Sequence, residues 1–257
     1  MERISGRSAL DVVTSMFVIA AASALIYRTT FGPPRSTRQA LQVPKEPVSI
    51  QGAPIRGSER ADAVMIVYSD FQCPFCARFT RETLPQLELQ YIATGNVALA
   101  FRHLPLPIHS DAVDAAVAAE CAGQQGKFWE MHDFLFGLER LNREALDVSP
   151  ELLNLDTMRF IQCRSNQGVS DRIRESAREA SRFGIHSTPA FLIGNRLTDG
   201  RVRVSGAIAG ARPVDDFVKQ LDAALGRPSP GWRRWIPFAV RRTEAPGVPG
   251  LAWWRAN

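Results

Sequence analysis

Two cysteines separated by two residues, Cys73 and Cys76, are the side chains of this chain best suited to chemistry. A Cys-x-x-Cys pair at the start of a helix can form a reversible disulfide. There, free backbone N–H groups and the positive end of the helix dipole stabilise a thiolate, which is the nucleophile of disulfide exchange. We therefore expect Cys73 to attack first. Cys76, one turn further along the helix and shielded, would act second.

The residues around this pair predict the strand and the helix that would position it. Residues 63–68 form an unbroken apolar run, AVMIVY, which is typical of a strand buried on both faces, and Ser69 and Asp70 end it. Pro74 then takes the first helical position, where its missing N–H costs nothing. We expect the helix to continue over residues 76–92 with a bend at Pro85.

Two other uses of this motif are disfavoured. A Cys-x-x-Cys pair is also half of a zinc site, but the remaining cysteines, Cys121 and Cys163, are isolated and far apart in the sequence. No metal site is therefore predicted. A purely structural disulfide is disfavoured because a ring closed over two residues is small, strained and easily reduced.

Charge is unevenly distributed along the 257 residues, which carry a net charge of +5. Residues 1–45 carry six basic and two acidic side chains, residues 46–226 carry 19 basic and 23 acidic, and residues 227–257 carry six arginines and one glutamate. The central part is therefore mildly acidic, so neither a basic groove nor a nucleic-acid partner is expected. A hydrophobic content of 45% suits one well-cored domain with appendages.

Residues 1–30 are predicted to be a signal sequence or a membrane anchor. The apolar stretch from Val12 to Tyr27 follows two arginines, and its alanine-rich part would suit a signal peptidase. The stretch is short for a span, and the arginines after it fit a cytoplasmic orientation of the domain better. Because thiol chemistry favours an oxidising compartment, we expect an uncleaved anchor with the domain on the extracytoplasmic side.

The predicted domain, residues 48–225, lies between a linker and a tail. The linker, residues 31–47, is polar and rich in proline. The tail, residues 226–257, holds four of the five tryptophans together with six arginines, a composition typical of a membrane interface. A disordered tail, or one packed on its own domain, is an equally good interpretation.

Within the domain, the predicted order is strand, helix, strand, a block of helices, then a hairpin and a closing helix. The second strand covers residues 96–101. The helices of the block are predicted over residues 111–122, 127–136, 150–162 and 170–182. The hairpin and the closing helix are predicted over residues 190–193, 201–205 and 213–225.

This order and three motifs resemble the DsbA-like thiol oxidoreductases. The motifs are DFQCPFCARF around Cys73, the stretch AAVAAECAGQQGKFWEMHDFLF after His109, and GIHSTPAF ending at Phe191. The resemblance covers residues 48–225. It implies an α/β thioredoxin fold with a helical insertion at about residues 110–183, an exported location in the periplasm or on another extracytoplasmic face, and thiol–disulfide exchange on other proteins.

The same resemblance assigns the site residues. Cys73 is implied to be the attacking cysteine and Cys76 the resolving one. Thr188 and Pro189 would form a substrate-facing loop with a cis peptide bond, which places the Thr188 backbone beside the nucleophile to pair with an extended substrate. Phe75, between the cysteines, is expected to contact substrate as well.

The remaining cysteines and the histidines are expected to have structural roles. Cys121 and Cys163 fall on predicted helices of the insertion, and in an oxidising compartment we favour a structural disulfide between them over two buried free thiols. The chain has four histidines: His103, His109, His132 and His186. None has a triad-like setting, so surface or cap roles are expected, and the last of them is nearest the predicted cis-proline loop.

Two positions depart from the family's pattern. Val67, six residues before Cys73, stands where a buried acid often helps protons reach the resolving cysteine, so fast resolution is in doubt. Phe75 stands where strong oxidants of the family have a histidine that stabilises the thiolate. Without that donor, we expect a reduction potential nearer the isomerase value of about −180 mV than about −120 mV.

The sequence therefore predicts an extracytoplasmic protein thiol–disulfide oxidoreductase. Isomerases usually add a dimerisation domain, for which the segment before Val48 has no room, so an oxidase or a reductase is favoured over an isomerase. Of these two, the oxidase is the function expected. The expected partners are cysteine-containing exported proteins and a membrane or soluble protein that resets the pair, and no cofactor is expected. The alternative is a thioredoxin-fold chaperone that holds extended chains while its cysteines stay idle.

Overall fold

The computed structural model describes residues 14, 16–23, 27 and 41–228. Residues 1–40 and residues 41–257 form two separate units, and the described residues of the first unit are helical. Among the described residues, no helix combines the length and the apolar character needed to cross a bilayer. Most of the predicted anchor and linker, and the tail after residue 228, lie outside the described residues.

Five strands form one mixed sheet in the order β1-β3-β2-β4-β5. The strands are β1 (Ile55–Arg56), β2 (Ala63–Ser69), β3 (Val97–His103), β4 (Ala190–Arg196) and β5 (Val202–Ala209). β2 and β3 run parallel, and the other neighbouring strands are antiparallel. The central strand, β2, is buried along its whole length, as its unbroken apolar run predicts.

After β2, helical structure begins at residue 74 and continues without interruption to residue 92. It consists of α1 (Pro74–Arg78), a π turn (Phe79–Thr83), α2 (Leu84–Leu87) and a second π turn (Glu88–Ile92). Directly before Pro85, the N–H of Leu84 donates to the carbonyl of Phe79, five residues back. A turn widened in this way accommodates a residue that lacks an N–H. The sequence predicts a bend at Pro85, and the observed local change is a π turn.

Five helices lie between β3 and β4 and form the helical insertion. They are α3 (Ala112–Gly123), α4 (Phe128–Gly137), α5 (Arg143–Leu152), α6 (Thr157–Arg164) and α7 (Gln167–Arg182). The alanine-rich α3 packs against each of the other four. Ala115, Ala118 and Ala119 are fully buried in these contacts, where small side chains let helices approach closely.

The single helix predicted over residues 150–162 is wrong. The chain forms two helices here, α5 and α6, separated by residues 153–156. Asn154 has a φ of 51°, a left-handed conformation that ends helical structure. The Asp156 side chain then accepts a hydrogen bond from the N–H of Arg159 and caps the start of α6.

Apolar side chains cover both faces of the sheet, and the two cysteines of the motif belong to one face. That face carries Val67 and Phe101 and packs against α1, against most of the insertion and against the closing helix, α8 (Val214–Ala224). The opposite face packs against the C-terminal half of α7 and against the segment around Val48. Two backbone hydrogen bonds of 2.8 Å join Val48 to Val202 of β5.

Candidate active site

Cys73 is the residue that directly precedes α1. Its backbone is extended (φ −74°, ψ 120°), and Pro74 occupies the first helical position. The Cys73 N–H donates to the carbonyl of Asp70 (3.1 Å), while its own carbonyl accepts from the N–H of Ala77 (3.1 Å). The turn and the helix thus hold Cys73 at the start of a helical segment, where backbone N–H groups are free to stabilise an anion.

The pKa of the Cys73 thiol is lowered to about 5. A hydrogen bond from the Cys76 thiol lowers this pKa most. Burial raises it, while hydrogen bonds from the Thr188 hydroxyl and from the backbone N–H groups of Cys76 and Phe75 lower it further. At neutral pH the reduced protein therefore carries a Cys73 thiolate, the reactive form in exchange.

The Cys76 thiol has the opposite character. Burial raises its pKa well above the usual value, and its interaction with the neighbouring Cys73 thiolate raises it further. Its residue is only 1% exposed. The pair is therefore asymmetric. Cys73 is ionised at the N-terminal end of the helix, and Cys76 is a buried, protonated thiol.

Thr188 and Pro189 lie beside the nucleophile. Their peptide bond is cis, and the Cys73 Sγ lies 3.4 Å from the Thr188 carbonyl oxygen, to which the thiol donates. The Thr188 hydroxyl is buried and has no hydrogen-bond partner among the described residues when both cysteines are thiols. Once Cys73 is a thiolate, this hydroxyl can donate to the sulfur, which accounts for its effect on the Cys73 pKa.

Phe75 lies between the cysteines and faces solvent. Its residue is 53% exposed, and the Arg78 guanidinium lies 5.2 Å from the centre of its ring. The structure thus brings five residues predicted for the site to the start of α1 and the cis-proline loop: Cys73, Phe75, Cys76, Thr188 and Pro189.

Asp70 anchors the turn before Cys73, a part of the site that the sequence analysis missed. Its side chain is fully buried and accepts three hydrogen bonds of 2.7 Å, from the N–H groups of Gln72 and Leu106 and from Nδ1 of His109. An aspartate that bonds the N–H two residues on is typical of a turn, so the Asp-Phe-Gln sequence after the strand was the available signal.

Gln72 ties the same turn to the start of α3. Its amide nitrogen donates to the Asp111 carboxylate (2.8 Å), and its amide oxygen accepts from the Asp111 N–H (2.6 Å). Together with Asp70, these contacts fix the segment after β3, residues 104–111, against the turn that carries Cys73.

The surface or cap roles expected for the histidines are wrong for two of them. His103 and His132 are buried, and they pair with Glu120 (3.0 Å) and Asp133 (2.8 Å) respectively. Burial lowers the pKa of His132, which lies among aromatic rings. Their ring contacts, which no sequence pattern indicated, make them part of the core. His186 is exposed.

Val67 lies at the centre of β2, on the same face as the cysteines. It pairs with Phe101 of β3 and Phe191 of β4, and its residue is 3% exposed. No acid therefore occupies this position, and the shared apolar cluster contains Val67, Cys73 and Cys76.

Cys121 of α3 and Cys163 of α6 are joined by a disulfide, with their Cα atoms 5.6 Å apart. The bond links two helices of the insertion, and both residues are buried. No group of three or more potential metal-ligating side chains occurs among the described residues.

Comparison with known proteins places this geometry in a family. A family model described as thioredoxin matches residues 49–209, more than half of the chain. A curated relative, the Na⁺/H⁺ antiporter NhaA 1 of Salinispora arenicola, is 33% identical over 187 residues, which are 68% of this chain and 28% of the antiporter. The chain thus spans little more than a quarter of that relative's length.

Solved structures of DsbA proteins have the same fold. Pseudomonas aeruginosa DsbA2 is 27% identical with a TM-score of 0.55, covering 67% of this chain and 96% of its own. Wolbachia pipientis α-DsbA1 is 24% identical with a TM-score of 0.60, covering 70% and 94%. The predicted family resemblance and fold class are confirmed. The chain therefore belongs to the thioredoxin family, and its fold is that of the DsbA-like thiol–disulfide oxidoreductases, the enzyme class predicted from the sequence.

Proposed function

We propose that this chain is a protein thiol–disulfide oxidoreductase that acts through Cys73 and Cys76. The observation that carries the proposal is the asymmetry of the pair. The pKa of Cys73, at the N-terminal end of the helix, is lowered to about 5, while burial raises the pKa of Cys76. One sulfur is thus ready for exchange with a substrate, and the other is held back for the second step.

The exchange proceeds through a mixed disulfide. In the oxidase direction, a substrate thiolate attacks the Cys73 sulfur, the bond to Cys76 breaks, and its electron pair stays on Cys76. A second substrate thiolate then attacks the mixed disulfide and releases Cys73 as a thiolate. The substrate gains a disulfide, and the Cys73–Cys76 pair is left as a dithiol.

In the reductase direction, the same steps run backwards. The Cys73 thiolate attacks a substrate disulfide, one substrate sulfur leaves, and a mixed disulfide forms. Cys76 then loses its proton and attacks Cys73, which releases the second substrate sulfur. Cys76 is therefore the resolving residue, and the cysteine pair ends as a disulfide.

The low pKa of Cys73 supports the oxidase direction. A stabilised thiolate stabilises the reduced form of the pair and leaves readily from a mixed disulfide, so the protein tends to give its disulfide away. Reduction and isomerisation use the same residues and remain alternatives that the reduction potential distinguishes.

The cis-proline loop supports a protein substrate. Thr188 places its carbonyl beside Cys73, and the exposed ring of Phe75 adds an apolar surface next to the nucleophile. We propose that an extended segment around a substrate cysteine lies along this loop, with cysteine-containing exported proteins as substrates. A membrane or soluble redox protein would reset the pair.

We propose an extracytoplasmic location, such as the periplasm. The Cys121–Cys163 disulfide supports it, because structural disulfides persist in oxidising compartments. Attachment to the membrane through residues 1–30 is proposed on the sequence alone. Ion transport is not proposed, since the match to the antiporter covers 28% of that protein and the described domain of this chain is a thioredoxin fold.

A chaperone that binds extended chains without exchange is the second candidate, and the exposed Phe75 beside a substrate-facing loop is the feature that favours it. Two assays on wild type and Cys73→Ser separate the candidates: oxidation of a dithiol peptide, and suppression of aggregation of an unfolded protein without cysteines. The oxidoreductase predicts peptide oxidation by wild type alone. Equal suppression of aggregation by both proteins, without peptide oxidation by wild type, would establish the chaperone instead.

A further inference from the structure

We propose that His109, oriented by Asp70, accepts the proton of the substrate thiol during exchange. This inference rests on the proposed function and adds a proton-transfer residue to it. The observation behind it is a buried carboxylate that accepts the N–H of Gln72 in the turn before Cys73 and also binds the imidazole of His109.

The Asp70 carboxylate orients the imidazole. Its Oδ2 lies 2.7 Å from Nδ1 of His109, and the carboxylate also accepts the N–H groups of Gln72 and Leu106. Because an ionised carboxylate only accepts hydrogen bonds, the proton of a neutral imidazole lies on Nδ1. Nε2 then carries a lone pair, and it has no hydrogen-bond partner among the described residues. An imidazole held in this way is suited to accept a proton.

The same aspartate fixes the nucleophile. The Asp70 carbonyl accepts the N–H of Cys73, so one residue holds the attacking cysteine through its backbone and His109 through its side chain. The imidazole is reachable from solvent, with 17% of the side chain exposed. The hydrogen bonds between Gln72 and Asp111 close the segment against the turn and limit its movement.

A base speeds the reaction where the substrate thiol is protonated. A substrate thiol with an ordinary pKa is mostly protonated at neutral pH, whereas attack requires the thiolate. With His109 as base, the proton passes from the substrate sulfur to Nε2 as that sulfur bonds to Cys73. The Cys73–Cys76 bond breaks, and its electron pair stays on Cys76. The imidazolium returns the proton to the Cys76 thiolate directly or through water. Val67 offers no acid for this purpose.

The other titratable groups near His109 are engaged in other interactions. Asp111 is hydrogen-bonded to Gln72 and to the hydroxyl of Ser110, and Asp70 already accepts three hydrogen bonds. Cys73 and Cys76 do not titrate in the oxidised protein, because they form the disulfide that is attacked. Ionisation of the two cysteines therefore does not contribute to the pH dependence of the oxidised protein.

The test measures how fast the oxidised full chain oxidises a dithiol peptide at pH 5 to 8, as wild type, His109→Gln and His109→Ala. Without a base, the logarithm of the rate rises linearly with pH as the peptide thiol ionises. Wild type should exceed both variants by about tenfold or more near pH 6, with a curved profile. His109→Gln, which keeps a donor for Asp70, should give the linear profile. Added imidazole should accelerate His109→Ala and leave wild type unchanged.

Glu151→Gln is the control, since it removes an exposed titratable group of α5 and should keep the wild-type rate and profile. Melting temperatures check that each variant is folded. Wild-type rates and profiles in both His109 variants would overturn the inference while leaving the exchange activity in place. A slow His109→Ala that keeps the curved profile and does not respond to imidazole would also overturn it. If wild type itself did not oxidise the peptide, the proposed function would fail instead.

Discussion

The sulfur of Cys73 lies 3.4 Å from the carbonyl oxygen of Thr188, on the amino side of a cis proline. Two distant parts of the chain meet here, the end of a buried strand and the start of the final hairpin. The contact places the nucleophile next to backbone that can pair with an extended peptide. The position of Cys73 therefore sets both its reactivity and its access to substrate.

The first prediction concerns the pH dependence of Cys73. Alkylation of the reduced protein by iodoacetamide should follow the thiolate and rise through a midpoint near pH 5. Thr188→Val, which removes a hydroxyl that lowers the Cys73 pKa, should move the midpoint upward, and Cys76 should stay unmodified. A wild-type midpoint near 9 would show that the thiolate is not stabilised.

The same shift makes the stability of the reduced protein depend on pH. The pKa of Cys73 is lower in the folded protein than its ordinary value of 9.0, so the unfolded chain binds the extra proton between these values. The free energy of unfolding should therefore rise with pH from about 5 towards 9, and this contribution is lost as the pH falls through 5. Urea unfolding of reduced wild type and Cys73→Ser measures the difference.

The second prediction concerns Phe75. Replacing this half-exposed ring by histidine adds a donor beside the Cys73 thiolate, and a hydrogen bond to a charged group contributes about 1.5–3 kcal/mol. Phe75→His should therefore raise the reduction potential by about 30–60 mV from a wild-type value near −180 mV. Phe75→Leu is the control and should leave the potential nearly unchanged. Equilibration with glutathione gives all three values, and equal potentials would contradict the role of this position.

The third prediction concerns Val67. This buried residue shares an apolar cluster with Cys76, whose thiol must lose a proton before it attacks. Val67→Glu places a base there and should speed resolution about tenfold, with a new pH dependence near neutrality. An unpaired buried acid should also destabilise the protein by a few kcal/mol. Stopped-flow reduction of a peptide disulfide measures the rate, with Val67→Gln as the control that cannot titrate. Equal rates in all three proteins would show that proton transfer does not limit resolution.

The fourth prediction concerns the disulfide of the insertion. Cys121 and Cys163 are 42 residues apart in sequence, and in the entropic account a bond over such a loop contributes about 3–4 kcal/mol. Replacing both by alanine should lower the melting temperature and leave the peptide oxidation rate nearly unchanged. Alkylation of the unfolded, non-reduced wild type checks the bond directly, and two free thiols would contradict it.

The fold was predictable where the sequence carries a strong local pattern. The apolar run of residues 63–68 is central strand β2, and Pro74 marks the start of the helix after it. β1 has two residues, too few for any periodicity, and was not predicted. The break between α5 and α6 was missed because Pro150 suggested a helix start. In fact Pro150 lies inside α5, and the Ser149 hydroxyl donates to the Leu146 carbonyl that Pro150 leaves unpaired.

The candidate site was predictable for its nucleophile and not for its supports. The cysteines and the cis-proline loop stand in short, contiguous motifs that can be recognised in the sequence. Asp70 and His109 are 39 residues apart, and only the parallel pairing of β2 with β3 brings them together. His132 could not be placed because its burial depends on rings from several elements.

The central claim is that Cys73 exchanges with protein substrates and Cys76 resolves the product, and trapping tests it most directly. Cys76→Ala, expressed in a cell that exports it, should accumulate disulfide-linked complexes through Cys73, because a mixed disulfide without its resolving thiol persists. The complexes should disappear with reductant and be absent from the Cys73→Ala, Cys76→Ala double variant. Equal amounts of complex in the double variant would contradict the claim.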